Sequence, residues 1–363
     1  MSLIKVKSRG TENVSGANNV IINGGMKVAQ RATTKTGLTN FNNGYHTLDR
    51  WRFQESGSPS YQFTMSQSTT SPNDFGYSLK MDCTTAQGSL AAGDTLQIQH
   101  RMEGQNLQQF QKGTSTAKQW TMSFFVRSAL TGTYICQLFD NDNNRFVSKS
   151  YTIDSANTWE RKIITFPADT TGALNNSNGN NLIAIWYLAA GSDFTSGTLQ
   201  TTWGGNTSAN KAVGQVNLAS STSNDWYMTG AQLELGDSAS DFNHRSFADE
   251  LLLCQRYFHK VQGSSSDRPG IGGYVVGATE ARMDVVFPCA MRGAPTIGGT
   301  GTAQFDGHSD SADFNCSAII IDEVGTGIIS GLGIQIATSG MTNGHSGGLR
   351  FRSDATLTFD SEI

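Results

Sequence analysis

Charge is scarce in this chain. Only 15% of its 363 residues are Asp, Glu, Lys or Arg, where about 25% is usual, and the net balance is small and negative, −4 at pH 7. A nucleic-acid binder needs a basic face to displace counterions from phosphate, and this balance gives no general reason to expect one. Long apolar runs are missing too. No window approaches the roughly 20 apolar residues of a membrane-spanning helix, and the opening MSLIKVKSRG lacks the apolar stretch of a secretory signal. The five cysteines, Cys83, Cys136, Cys254, Cys289 and Cys316, are scattered and form no CxxC. That arrangement points to reduced thiols in cores, not to a disulfide framework. Among the six histidines there is no HExxH, and the chain has no GxSxG, no phosphate-binding loop and no repeat of fixed period. No catalytic constellation can be placed, and the chain reads as non-enzymatic.

What the chain does have is glycine, 40 residues of it, together with many Ser, Thr and Asn and many short alternating apolar runs. Tyr61, Phe63 and Met65 share one face of a strand; Tyr77, Leu79, Met81 and Cys83 share another. Leu96, Ile98 and His100 alternate with Gln97 and Gln99, and Trp120, Met122, Phe124 and Val126 point one way while Thr121 and Ser123 point the other. Strands at this spacing, broken by Asn/Gly/Ser/Asp turns, predict an all-β antiparallel sandwich over residues 20–246. Residues 1–19 form a lead in which Ile4 and Val6 alternate with Lys5 and Lys7, a short strand that must pair with something else; an anchoring segment added to a neighbouring chain is one reading and a frayed terminus the other.

One stretch reads differently. In SFADELLLCQRYFHKVQG, Ser246 is a fitting N-cap with Asp249 three residues on, and Gly263 is a fitting stop. Phe247, Leu251, Cys254, Phe258 and Val261 are spaced four, three, four, three, the stripe of a helix over 247–262. Packing around a symmetry axis against copies of itself is one use of such a stripe, and packing on its own sandwich is the other. A turn-rich linker follows, and 263–363 is read as a second, smaller, glycine-rich β domain.

Several strings resemble a group of phage virion proteins, tail-fibre and related host-adsorption proteins. These are NNVIINGGMKVAQRATTKTG through YHTLDRWRF, then WTMSFFVRSALTGTY, ANTWERKIITFPADTTG and NLIAIWYLAAGS. The resemblance is strongest at GQVNLASSTSNDWYMTGAQLELGDSASDFNHRSFADELLLCQRYF. Phe287, Pro288, Met291, Arg292, Pro295 and Thr296 match a module such proteins often carry at the C-terminal end. The resemblance implies a jelly roll similar to carbohydrate-binding modules, then a helix and a variable β domain. It further implies a non-enzymatic, usually trimeric component of the virion, assembled in the host cytoplasm. In a jelly roll the first and last strands are neighbours, so residues 20–23 or 49–53 are expected beside 226–235.

On this reading Ile4, Lys5, Val6 and Lys7 anchor the chain to other virion proteins of the tail or capsid, and Phe247, Leu251, Cys254, Phe258 and Val261 face partner copies. The host-surface ligand is a glycan or a protein. Sugar binding calls for displayed aromatics with a polar rim, and Trp203 in TTWGGNTSANK and Tyr45 in NNGYHTLDRW sit in polar loop sequence. Related jelly rolls often hold a structural calcium, for which Glu234 and Asp237 are the side-chain candidates here. The alternative is that Glu234 pairs with Arg50, Arg52 or Arg245. Two other functions compete: a capsid decoration or head-fibre protein without a ligand, and a glycan-cleaving enzyme built on two facing carboxylates.

Overall fold

The computed structural model describes residues 19–263, 269–307, 312–316, 318–324, 329–337 and 339–363. The lead residues Ile4, Lys5, Val6 and Lys7 lie outside them. Alternating apolar residues give strand after strand: β1 (Thr34–Leu38), β2 (Gly44–Tyr45), β3 (Trp51–Ser56), β4 (Gln62–Ser68), β5 (Ser78–Thr85), β6 (Thr95–Glu103), β7 (Trp120–Ser128), β8 (Gly132–Asp140), β9 (Arg145–Ile153), β10 (Glu160–Phe166) and β11 (Asn180–Ala190). A helical turn, α1 (Ser192–Thr195), then β12 (Gly204–Gly205) and β13 (Asp225–Leu235) complete this body. Two antiparallel sheets result, ordered β1-β4-β5-β13-β7-β10 and β12-β9-β8-β11-β6-β3-β2. This is the all-β jelly-roll sandwich that the periodicity and the resemblance lead one to expect.

The core is aromatic. Trp120, Met122, Phe124 and Val126 of β7 face Trp51, Phe53, Ile98 and Trp186 of the opposite sheet, all of them buried. The rings of Trp51 and Trp186 lie 5.4 Å apart, and Phe124 meets Trp186 edge-on at 5.8 Å. Cys83, Cys136 and Cys254 are buried thiols.

The opening segment closes against the last strand, as expected. Val20 N donates to Leu233 O at 3.1 Å and Ala231 N to Gly24 O at 3.0 Å. A Cβ on Gly24 would stand 2.1 Å from the Ala231 oxygen, so glycine alone lets the two backbones come this close. Asn23 is the hub of this corner. Its amide donates to Val28 O and Asp49 O, its backbone N–H meets Glu250 at 2.6 Å, and its carbonyl accepts from the Trp51 indole at 2.9 Å.

The helix is shorter than the sequence pattern predicts. Ser246 caps it as expected, accepting from Asp249 N at 3.1 Å, but α2 runs only over Phe247–Gln255. Residues Phe258–Gln262 form a strand, β14, paired with a distant partner from Phe258↔Asp360 to Gln262↔Thr356. A five-residue ladder won over local helical spacing, because heptad-like spacing cannot anticipate a tertiary partner. The first residues of the second body therefore lie inside the segment expected to be helical.

That second body comprises β14 with β15 (Gly272–Gly277), β16 (Glu280–Met291), β17 (Thr296–Gly307), β18 (Ala312–Asn315), β19 (Ala318–Val324), β20 (Ile329–Ala337) and β21 (Ser346–Asp360). They form one sheet ordered β18-β17-β21-β15-β16-β20-β19, with β14 also on β21. Ala281, Met283, Val285 and Phe287 alternate inward on β16 and share a core with Ile334, Ile336, Phe351 and Phe359.

The chain's last residues return to the sandwich. Arg31 meets Asp360 at 3.0 Å, and Arg50, fully buried, is paired with Glu362. The Tyr45 hydroxyl donates to Ile363 O at 2.6 Å. Arg292 donates to Ser361 O at 2.7 Å and to Glu362 O at 3.3 Å. The Arg50 guanidinium also lies 3.5 Å over the Tyr257 ring. Arg50 adopts a left-handed φ of 72°, unusual for a side-chain-bearing residue, and these partners hold it there.

Candidate functional site

The outward face of the β6 sheet differs from an ordinary solvated surface. On β6, Leu96, Ile98, His100 and Met102 point into the sandwich, so Gln97, Gln99, Arg101 and Glu103 point away from it. The registers line up a row across six strands: Tyr45, Arg52, Gln99, Ile185, Gln137 and Ser148 are successive partners. A second row runs Gln54, Gln97, Tyr187, and a third Arg101, Ile183, Phe139.

Outward polar side chains are usually well exposed, yet Gln97 is 9% and Gln99 5% accessible, and Tyr187 2%. Two covers recess them. On one flank, residues 191–217 lie over β8, β9 and β11: Ser148 donates to Lys211 O at 2.8 Å, and Ile135 N to Gln215 at 2.8 Å. Ala212, Phe194 and Leu199 pack with Ile183, Ile185 and Tyr187 there. On the other flank stand Tyr45, Arg50 and the C-terminal tail. The strip between the two covers, the trench, carries Arg52, Gln54 and Arg101 half-buried and Gln97, Gln99 and Tyr187 buried.

Its polar groups form a ladder. Gln99 Nε2 donates to Gln97 Oε1 at 2.7 Å, and Arg101 donates through Nε and Nη2 to Gln99 Oε1 at 3.3 and 3.2 Å. Arg52 donates to Gln54, whose amide donates to Glu55 O at 2.8 Å. Further in, Gln137 donates to Ser148 Oγ at 3.0 Å. Burial and the neighbouring Arg101 charge hold Arg52 below the usual guanidinium range, and burial does the same to Arg101. Amide and guanidinium donors, amide acceptors and the apolar edges of Ile185 and Tyr187 make a surface suited to a ring carrying several hydroxyls.

The residues singled out from sequence fall elsewhere. Tyr45 borders the trench, but its hydroxyl is taken by Ile363 O and its ring lies under Arg31 at 5.5 Å and Arg50 at 5.9 Å. It is half-buried and tied to the C-terminal tail. Trp203 is half-buried against the core, with its indole N–H on Pro167 O at 2.8 Å and Lys112 Nζ 4.8 Å over its ring. Polar sequence around an aromatic did not mean display.

Glu234 is 4% exposed and accepts from Ser240 N at 2.9 Å, Ser240 Oγ at 2.7 Å and Gln232 Nε2 at 3.0 Å. Three of the roughly four lone-pair sites of this carboxylate are taken by protein donors, and Asp237 is exposed nearby, so the two side chains are not gathered around a common cation position. Nor does Glu234 pair with any of the three arginines considered for it: Arg50 is paired with Glu362, Arg245 with Glu250, and Arg52 donates to Gln54. Among the described residues, no group of three or more His, Cys, Asp or Glu could hold a metal ion.

The apolar stripe also divides. Cys254 is fully buried and packs, with Leu251, against Ile22 and Val28 of its own sandwich. Phe258 lies 3.7 Å beneath the Arg31 guanidinium, and Val261 packs on the second core. Of the five stripe residues, Phe247 alone is largely exposed, at 57%, beside Leu252 and Leu253 at 44% and 36%. The trench itself escaped sequence reasoning, although a signal was present: Gln and Arg, not Ser and Thr, occupy the outward positions of LQIQHRME and WRFQ.

No family model matches the chain, and no curated protein matches it. Among solved structures, the enzymatically active domain of tailspike protein 4 of bacteriophage CBA120 aligns with TM-score 0.32 and 12% identity over 60% of this chain and 21% of its own length. A putative sugar-binding protein from Bacteroides thetaiotaomicron aligns with TM-score 0.34 and 9% identity over 60% of this chain and 99% of its own. The family 11 carbohydrate-binding module of a Clostridium thermocellum cellulase gives TM-score 0.27 and 12% identity over 58% and 99%. Scores this low carry no argument about function, and the fold rests on its own strand order.

Proposed function

We propose that this chain is a non-enzymatic, sugar-binding component of a phage particle, a tail-fibre or adhesin subunit that displays a host-surface-binding jelly roll. The observation that carries the reading is the recessed ladder of Gln54, Gln97, Gln99, Arg52 and Arg101, flanked by two covers. Pre-ordered amides and guanidiniums in a shallow trench are what hydroxyl recognition needs, and holding them in place beforehand reduces the ordering cost of binding. Non-enzymatic display is part of the same proposal: Glu103, at the end of the ladder, is held by Arg256 at 2.8 Å, and glycoside hydrolysis needs two carboxyl groups free to act. A weak site suffices when several copies on one particle engage together.

Assembly as a homotrimer, anchored through residues 1–19, belongs to the same proposal. The uncovered apolar residues of α2, Phe247, Leu252 and Leu253, are the surface it would use. The test is direct titration of the purified chain with oligosaccharides from bacterial surface polysaccharides. Binding is expected, and Gln97→Ala/Gln99→Ala should weaken it at least tenfold with the melting temperature retained. Absence of binding to every oligosaccharide would overturn the reading.

A further inference from the structure

Two arginines in the trench, like Arg161 and Arg292, meet no carboxylate among the described residues. Arg31, Arg50, Arg145, Arg245 and Arg256 each meet a carboxylate. Arg52 and Arg101 do not. Their hydrogen bonds go to the amide oxygens of Gln54 and Gln99, and among the described residues no acidic group lies within ion-pair distance of either.

They are also close together. Arg52 is the register partner of Gln99, and Arg101 stands two residues further along the same face, which makes the two residues diagonal neighbours, about 7–8 Å apart between their backbones, and the Arg101 charge is felt at Arg52. Like charges in this relation repel, and both are half-buried, so repulsion is poorly screened. The nearest acids are already committed. Glu362 is shared by Arg50 and Arg31, and Glu103 is held on both oxygens by Arg256. Among the described residues, the remaining N–H groups of Arg52 and Arg101 meet no acceptor, and each keeps a side of the planar fork that fits an oxyanion with two oxygens.

We propose that the trench selects acidic glycans, with Arg52 and Arg101 together holding the anionic group of a sugar residue, a uronate carboxylate or a sulfate or phosphate ester. The inference rests on the sugar-binding reading and specifies its ligand class. The ladder of Gln97 and Gln99 addresses the hydroxyls, while the arginine pair supplies the charge recognition.

Calorimetric titration with an oligogalacturonate, a sulfated dextran oligomer, a phosphorylated dextran oligomer and a neutral dextran oligomer of equal length tests it. At least one anionic oligomer is expected to bind ten or more times tighter than the neutral one, and which one does so identifies the anionic group. Its affinity should fall as salt is raised, a readout that needs no variant. Arg52→Gln and Arg101→Gln should each lose at least tenfold for that oligomer, and Arg52→Lys and Arg101→Lys should recover only part, since an ammonium lacks the fork. Equal binding of neutral and anionic oligomers, indifferent to salt and to both variants, overturns acid selectivity and leaves sugar binding standing. Binding of a neutral surface polysaccharide with no anionic oligomer bound does the same. Failure of all glycans to bind overturns both.

Discussion

Glu55 occupies an inward position on β3, two residues after Phe53, and is 2% exposed beside the buried Asp94 and the Tyr61 hydroxyl. Burial, and then the Asp94 charge, push its carboxyl up from 4.5 to about 8. Between those values the folded chain holds a proton that the unfolded chain has released. Stability from this group is therefore complete below 4.5 and is lost as pH rises to about 8. Asp49, pushed up by burial to about 6, acts with the same sign but in a lower window. His100, held neutral by burial, acts below its ordinary 6.5. The slope between pH 6.5 and 8 thus belongs chiefly to Glu55. Glu55→Gln is expected to flatten it and to raise the melting temperature at pH 8 by roughly 2–4 °C, the shift that about 1 kcal/mol produces in a domain of this size. A calorimetric pH series checks this, and an unchanged slope would mean that the carboxyl is ionised in the fold.

Elements obeyed the sequence where their partners were implied by period alone. Trp120 to Val126 and Tyr61 to Met65 sit where alternation puts them, and the Ser246 cap starts α2 where expected. The helix end and the trench required information that no local window contains. Gln255 ends the helix because Phe258–Gln262 finds β21 about 100 residues on, and the trench exists only through the registers joining β3, β6, β11 and β8. The two ends of the expected stripe should consequently behave differently. Phe258→Ala removes a ring that is 4% exposed and stacked on Arg31, and should cost about 3 kcal/mol of stability by chemical denaturation. Phe247→Ala, at a site 57% exposed, should stay within about 0.5 kcal/mol. Light scattering on the same pair separates assembly from folding: loss of oligomers in Phe247→Ala with its melt intact would place α2 at the subunit contact.

Across the molecule, the two bodies are joined by more than the covalent link. Glu362 neutralises the fully buried Arg50, and Arg292 binds both Ser361 O and Glu362 O. Glu362→Ala leaves Arg50 buried without its counter-charge, at a cost of about 3–5 kcal/mol. The expected calorimetric result is a lower melting temperature, with the sandwich and the C-terminal sheet unfolding in separate steps. Arg50→Met/Glu362→Ala should regain much of the loss, because it removes the stranded cation as well. Equal melting of the single and double variants would refute that account.

The closing residues Asp360–Ile363 bear on how such a chain can diversify. They belong to the terminal unit by connectivity, beginning on the last residue of β21, yet their side chains and carbonyls meet the sandwich beside the trench. Grafting a different terminal unit onto this sandwich would therefore require conserving a matching tetrapeptide at the graft's far end. Without it, the exchange would disturb the wall of the proposed binding trench in a part of the chain that the graft never touched.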